Sequence, residues 1–165
     1  MLLPENRFRL AARKAGPGIE GILSLAQQFE VSLSCAAIRV VASEVYPAVL
    51  IKWSSDGIAW KWASHSFWNF GFRRINATKI SLPRDSATSR ALAAGSGGGQ
   101  VVENATTAAY WFSVADKGIR NLVLREQAIS LGKFGALTLL SLHKGNFPPE
   151  IVALRDHELG LDERY

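Results

Sequence analysis

At Tyr46-Pro47 the hydrophobic period of this chain changes from that of a helix to that of a strand, and any fold has to serve both sides of the switch. Upstream, Ile19, Ile22, Leu25, Ala26 and Phe29 follow Gly16-Pro17-Gly18 at three- and four-residue spacing, which predicts an amphipathic helix over about residues 18–29. After a break at Glu30-Val31, Ser32 can cap a second helix whose buried stripe is Leu33, Ala36, Ala37, Val40 and Val41, and Tyr46-Pro47 ends it. Two helices joined so tightly must cross steeply. The pair resembles a helix-turn-helix, with Ser34, Arg39 and Ser43 expected at exposed positions of the second helix.

Downstream the period is two. Val49, Ile51 and Trp53 alternate with Ala48, Leu50 and Lys52; Ile58, Trp60 and Trp62 alternate with Ala59, Lys61 and Ala63. The Ser54-Ser55-Asp56-Gly57 between them predicts a hairpin whose central Asp-Gly takes positive φ. Simple alternation then places Trp53, Trp60 and Trp62 on one face. Residues 64–80 are aromatic but irregular, Ser86–Ala94 predicts a short helix, and residues 95–99 read as a glycine-rich connector. An apolar segment spans Ala108–Val114. Two further strands, around 122–129 and 136–142, are joined by the Gly132-Lys133-Phe134-Gly135 turn. The expectation is an α+β fold: two N-terminal helices, then an antiparallel sheet of about five strands with covering helices.

Composition narrows the function. A single cysteine among 165 residues excludes an internal disulfide framework, and Cys35, His65, His143 and His157 are too scattered for a zinc motif. No metal site and no cofactor are expected, and the cytoplasm is the expected setting. No run approaches the roughly 18 apolar residues of a membrane span, so no membrane association is expected. Residues 150–165 carry a balance of −3, which leaves +8 on residues 1–149 of the chain's net +5. The basic residues form no run longer than Arg13-Lys14 and Arg73-Arg74, so a solvated surface is expected before a phosphate-tracking patch.

Other chemistry finds little support. The glycine cluster lacks the Gly-Lys-Ser/Thr ending of a phosphate loop. Asp156-His157-Glu158 has no second histidine four residues away, and His65 and His143 have no serine on a Gly-x-Ser-x-Gly elbow. Cys35, in the first turn of the second helix, is expected to pack closely rather than react. Trp53, Trp60, Trp62, Phe67, Trp68, Phe70 and Phe72, interleaved with Lys52, Lys61, Arg73 and Arg74, are expected to form core; base stacking and a small-molecule pocket are the alternatives.

Leu2-Leu3-Pro4, Phe8, Leu25-Ala26-Gln27-Gln28-Phe29-Glu30-Val31-Ser32 and Ala36-Ala37-Ile38-Arg39 resemble a stretch of the ImmA/IrrE family of zinc-dependent peptidases. Asp56-Gly57-Ile58 with Trp60, Ser66-Phe67, Leu131-Gly132-Lys133-Phe134-Gly135 and Leu137-Thr138-Leu139-Leu140 are similar to the GAF-like region of its longer members. The resemblance implies a helix-turn-helix-like segment over 1–46, a GAF-like sensor domain over 47–145 and an acidic tail over 146–165. The family's His-Glu-x-x-His helix precedes the leucine-leucine-x-proline segment, and no residue here matches it, so no catalytic role carries over and no enzyme is expected. The implied function is a regulatory or sensor module that binds a small molecule, with Trp53, Trp60, Trp62 and Trp111 lining the pocket, or a protein partner. In the alternative, a DNA-binding regulator, Ser34 and Arg39 would face bases, and Arg13 and Lys14, with Arg7 and Arg9, would face phosphates. A fragment of a zinc peptidase is a further alternative, and a homodimer through the exposed sheet edges is compatible with any of them.

Overall fold

The structure is a computed structural model that describes residues 5–70, 72–75, 82–97, 99–114 and 117–142. His143, the Asp156-His157-Glu158 group and the acidic segment lie outside the described residues. Three helices come first: α1 (Glu5–Ala15), α2 (Ile19–Gln28) and α3 (Leu33–Ala42). β1 (Ala48–Ser54), β2 (Gly57–Ala63), α4 (His65–Trp68), β3 (Phe72–Ile75) and α5 (Ala87–Ala93) follow. The chain continues through β4 (Val101–Thr107), α6 (Ala108–Trp111), β5 (Phe112–Val114), α7 (Lys117–Arg120), β6 (Val123–Ser130) and β7 (Ala136–Leu142). Five strands form an antiparallel sheet in the order β2-β1-β7-β6-β4, and β3 pairs with β5 in a separate ribbon. The α+β expectation holds.

The two predicted helices end where their chemistry ends them. Ser32 accepts a hydrogen bond from the Cys35 amide and so caps α3, while Glu30 takes a left-handed φ of 53° to close α2. The bend between α2 and α3 is 113°, and neither helix alone is long and apolar enough to cross a membrane. Both lie on the sheet instead. Ile19, Ile22 and Leu25 of α2 and Ala36, Ala37, Val40 and Val41 of α3 join Leu50, Ile129, Leu137 and Leu139 in one core. Helical segment and sheet therefore share a hydrophobic core.

β7 occupies the centre of the sheet with both faces covered, and every residue from Ala136 to Leu142 is buried. That explains its nearly unbroken apolar sequence. Odd and even positions divide between two cores: Leu137 and Leu139 face the helices, whereas Ala136, Leu140 and Leu142 face the aromatic layer built from α4, α6 and the β3–β5 ribbon.

Two local expectations are corrected. In the β1–β2 hairpin Ser54 pairs with Gly57, so the loop centre is Ser55-Asp56, and positive φ falls on Gly57 (115°) at the start of β2. The register also slips: Lys52 pairs with Trp60 but Trp53 pairs with Ile58, which leaves Ala59 as the extra residue of a β-bulge. The bulge reverses the parity of β2. Trp53 joins the aromatic layer, whereas Trp60 packs with the helical layer and Trp62, opposite Leu50, points to the same side. The three tryptophans do not share a face.

The turn between β6 and β7 requires glycine. Gly135 has φ 89°, and a Cβ there would overlap the Trp53 backbone carbonyl. The glycine-rich connector is in part ordered by the sheet: residues 95–97 form a 3-10 turn whose Gly95 carbonyl accepts from Ser130 Oγ at 2.8 Å.

Candidate functional site

Among the described residues each face of the sheet carries a polar network, and the groups around the two differ in their access to water. On the aromatic side Glu126 is 1% exposed, and its Oε1 accepts from the Thr88 amide (2.9 Å) and the Thr88 hydroxyl (2.7 Å). Thr88 Oγ1 lies 2.8 Å from Thr138 Oγ1, which accepts from the Trp53 indole N–H at 3.0 Å. A continuous chain of donors thus runs from Trp53 through two hydroxyls to the carboxylate, and it binds α5, capped by Ser86, to the sheet. Burial raises the pKa of Tyr110, and the charge of Glu126 raises it further.

On the helical side Gln127 reaches from β6 to the N-terminus of α2. Its Oε1 accepts from the Ile19 amide (2.8 Å), and its Nε2 donates to Glu20 (3.0 Å) and Glu103 (2.9 Å). Arg125 pairs with Glu103 at 2.7 Å, a hydrogen bond that raises the already high pKa of the guanidinium. Gly18 permits this docking, because a Cβ there would come within 2.7 Å of Gln127 Oε1.

The predicted ligand-lining tryptophans separate. Trp53 (5% exposed) and Trp111 (0% exposed) meet edge to face at 6.3 Å, with Phe67, Phe72 and Phe112 packed in the same layer. Both indole nitrogens are already engaged, that of Trp111 by Thr106 Oγ1 at 3.2 Å. Trp60 is half-buried on the other face, and Trp62 is 48% exposed on edge strand β2. No single pocket gathers the four.

The predicted nucleic-acid residues also divide. Ser34, Arg39 and Ser43 are half-buried, because α3 turns its apolar stripe to the sheet and its outer side offers only Ser32, Cys35 and Ala42 as exposed residues. Cys35 itself is exposed, since Ala36 and Ala37 make the close contact it was expected to make. Arg13 and Lys14 are exposed, but on α1.

Other candidates resolve into structural roles. Ser64 Oγ accepts from the Ala48 and Phe67 amides at 3.0 and 3.2 Å, tying β1 to α4, and His65 is exposed. The Glu44 carboxylate accepts from the amides of His65 and Ser66. Among the described residues no three His, Cys, Asp or Glu side chains converge as metal ligands.

Sequence reasoning missed α1 and the groove it makes with α2. Arg7, Leu10, Ala11, Lys14 and Ala15 of α1 and Ser24 and Gln28 of α2 line an open depression of about 470 Å³. Leu10 is 56% exposed there, between two exposed cations, and among the described residues no carboxylate lines it. The signal was present as Leu10 between Arg7 and Lys14 on a helix otherwise anchored by Phe8 and Ala12.

Comparison with protein-family models finds no match, and neither does comparison with the curated proteins.

Proposed function

We propose that this chain is a non-catalytic regulatory module that acts by docking a protein partner, one of the two roles, with small-molecule binding, that a resemblance to the C-terminal region of ImmA/IrrE-type peptidases implies. The observation that carries this reading is the α1–α2 groove, where an exposed leucine sits on a helix flanked by cations while the tryptophans expected to line a ligand pocket are packed or dispersed. A small molecule between sheet and cover would have to displace Trp53 or Trp111, whose indoles are hydrogen-bonded within the core. DNA reading by α3 finds less support, because its one basic residue, Arg39, is half-buried.

Three measurements on the intact chain test the reading together. A photo-cross-linking residue at position 10 should give a discrete protein adduct in cells, and one at exposed position 93 on α5 should not. A nucleotide and metabolite panel should leave the melting temperature unchanged; stabilisation that Trp111→Phe abolishes would restore the sensor pocket. Duplex DNA should bind no more tightly than micromolar at low salt; tighter binding with a steep salt slope that Arg39→Gln weakens would favour the helix-turn-helix account.

A further inference from the structure

We infer that the α1–α2 groove accepts an acidic amphipathic helix of a partner protein, with carboxylates meeting Arg7 and Lys14 and apolar side chains covering Leu10, Ala11 and Ala15. This rests on the docking reading above and specifies the partner's chemistry. Arg7 and Lys14 stand seven residues apart on α1, two helical turns, or about 10 Å along the axis. Leu10 and Ala11 lie between them at the third and fourth positions, so cation, apolar pair and cation follow one helical stripe. A complementary helix therefore carries acidic residues seven apart with apolar residues between, the helix-in-groove mode of recognition.

Charge selects among occupants. α1 bears Arg7, Arg9, Arg13 and Lys14 against Glu5, a balance of +3, so a second copy docked through the same helix meets like charge. A nucleic-acid backbone would suit the cations but would leave Leu10 uncovered, whereas an amphipathic helix satisfies both. The facing wall, Ser24 and Gln28, is neutral and adds no repulsion toward acids.

The probe is a fluorescein-labelled, alanine-based helical peptide with two glutamates seven apart and leucines at the third and fourth positions between them, titrated against the full chain by fluorescence anisotropy. Saturable binding is expected, with affinity falling about tenfold or more in Arg7→Gln/Lys14→Gln and about fivefold or more in Leu10→Ser. The same peptide with glutamine for glutamate should bind at least about tenfold more weakly, and added salt should weaken only the acidic peptide. All three positions are solvent-facing, so circular dichroism should show the variants folded. Equal binding of the glutamine peptide, or binding indifferent to these substitutions, overturns the inference. Duplex DNA bound more tightly than the peptide and lost in the double variant assigns the groove to phosphate; a dimer abolished by Leu10→Ser assigns it to a second copy. Either result also overturns it. An adduct from position 10 without peptide binding rejects the acidic helix while leaving the docking reading standing; absence of both rejects both.

Discussion

The helical cover of the sheet packs small and aliphatic side chains, Ala12, Ile22, Ala36, Ala37 and Val40 among them, whereas the opposite cover packs the rings of Phe67, Phe72, Trp111 and Phe112. Ala36 and Ala37 let α3 lie close to the strands, and the rings fill a layer made of short elements and a two-stranded ribbon. The fastenings differ in the same sense. Gln127 holds the helical layer through the Ile19 amide and Glu20, and on the sheet it meets Glu103, whose side chain and that of its partner Arg125 remain 50% and 28% exposed. Water can replace the charged partners, though not the buried Ile19 amide. Glu126 holds α5 through Thr88 in a dry interior, where a partner removed is not replaced. Two polar residues adjacent in sequence thus carry unlike burdens because the pleat sends them to opposite faces.

The tryptophans give the largest contrast. Trp111→Ala should cost about 3–5 kcal/mol in urea unfolding, since it empties a fully buried site in the aromatic layer. Trp62→Ala should cost less than about 1 kcal/mol, since nearly half of that side chain already meets water. Equal costs for the two would break the division into a filled layer and an exposed edge.

Much of the fold was legible where one period dominates. α2 and α3 show it, because Ile19, Ile22 and Leu25, then Ala36, Ala37, Val40 and Val41, form single buried stripes. α1 was not legible: it buries only Phe8 and Ala12, one turn apart, among four cations. β4 was obscured for a related reason, as an edge strand whose residues are half-buried or exposed throughout. The candidate site suffered most from the bulge in β2, because a single extra residue reverses which tryptophans meet, and no periodicity reports an insertion. The Glu126 chain was equally hidden, since Thr88 and Trp53 reach Glu126 and Thr138 across 38 and 85 residues of sequence.

Glu126 and Gln127 sharpen the contrast between the faces. Glu126→Ala should lose about 2–3 kcal/mol, because the Thr88 amide and hydroxyl are stranded without water. Glu126→Gln keeps an oxygen for Thr88 and should lose less than about 1 kcal/mol. Native-state hydrogen exchange should show the Thr88 amide accelerating in the alanine variant while that of Ile19 does not. Gln127→Ala should do the reverse, at a cost of about 1–3 kcal/mol, because the buried Ile19 amide loses its acceptor while Glu20 and Glu103 keep their contact with water. Acceleration of both amides by either variant would mean that the faces open together.

Tyr46 supplies the smallest and most pH-specific test. Its hydroxyl accepts from the Gly18 amide at 3.3 Å, at the same α2 entrance that Gln127 fastens. Burial pushes its pKa above the ordinary 10.0, outweighing the Gly18 hydrogen bond and the charge of Arg125, which pull it down. The folded state therefore holds the phenolic proton more tightly than the unfolded state, so this contribution is whole below pH 10 and is lost as pH climbs through the raised value. Tyr46→Phe should cost about 0.5–1 kcal/mol near neutrality, where it leaves the Gly18 amide without its acceptor. Above pH 10 wild type alone should lose the Tyr46 contribution, so the gap between the two should close. Tyr110, raised in the same direction on the aromatic side, continues to lower the alkaline stability of both proteins, and adding Tyr110→Phe should flatten the curve further. A gap that stays constant from about pH 8 to 11 would show that Tyr46 does not titrate across the folding equilibrium, and that the helical face has no alkaline weak point of its own.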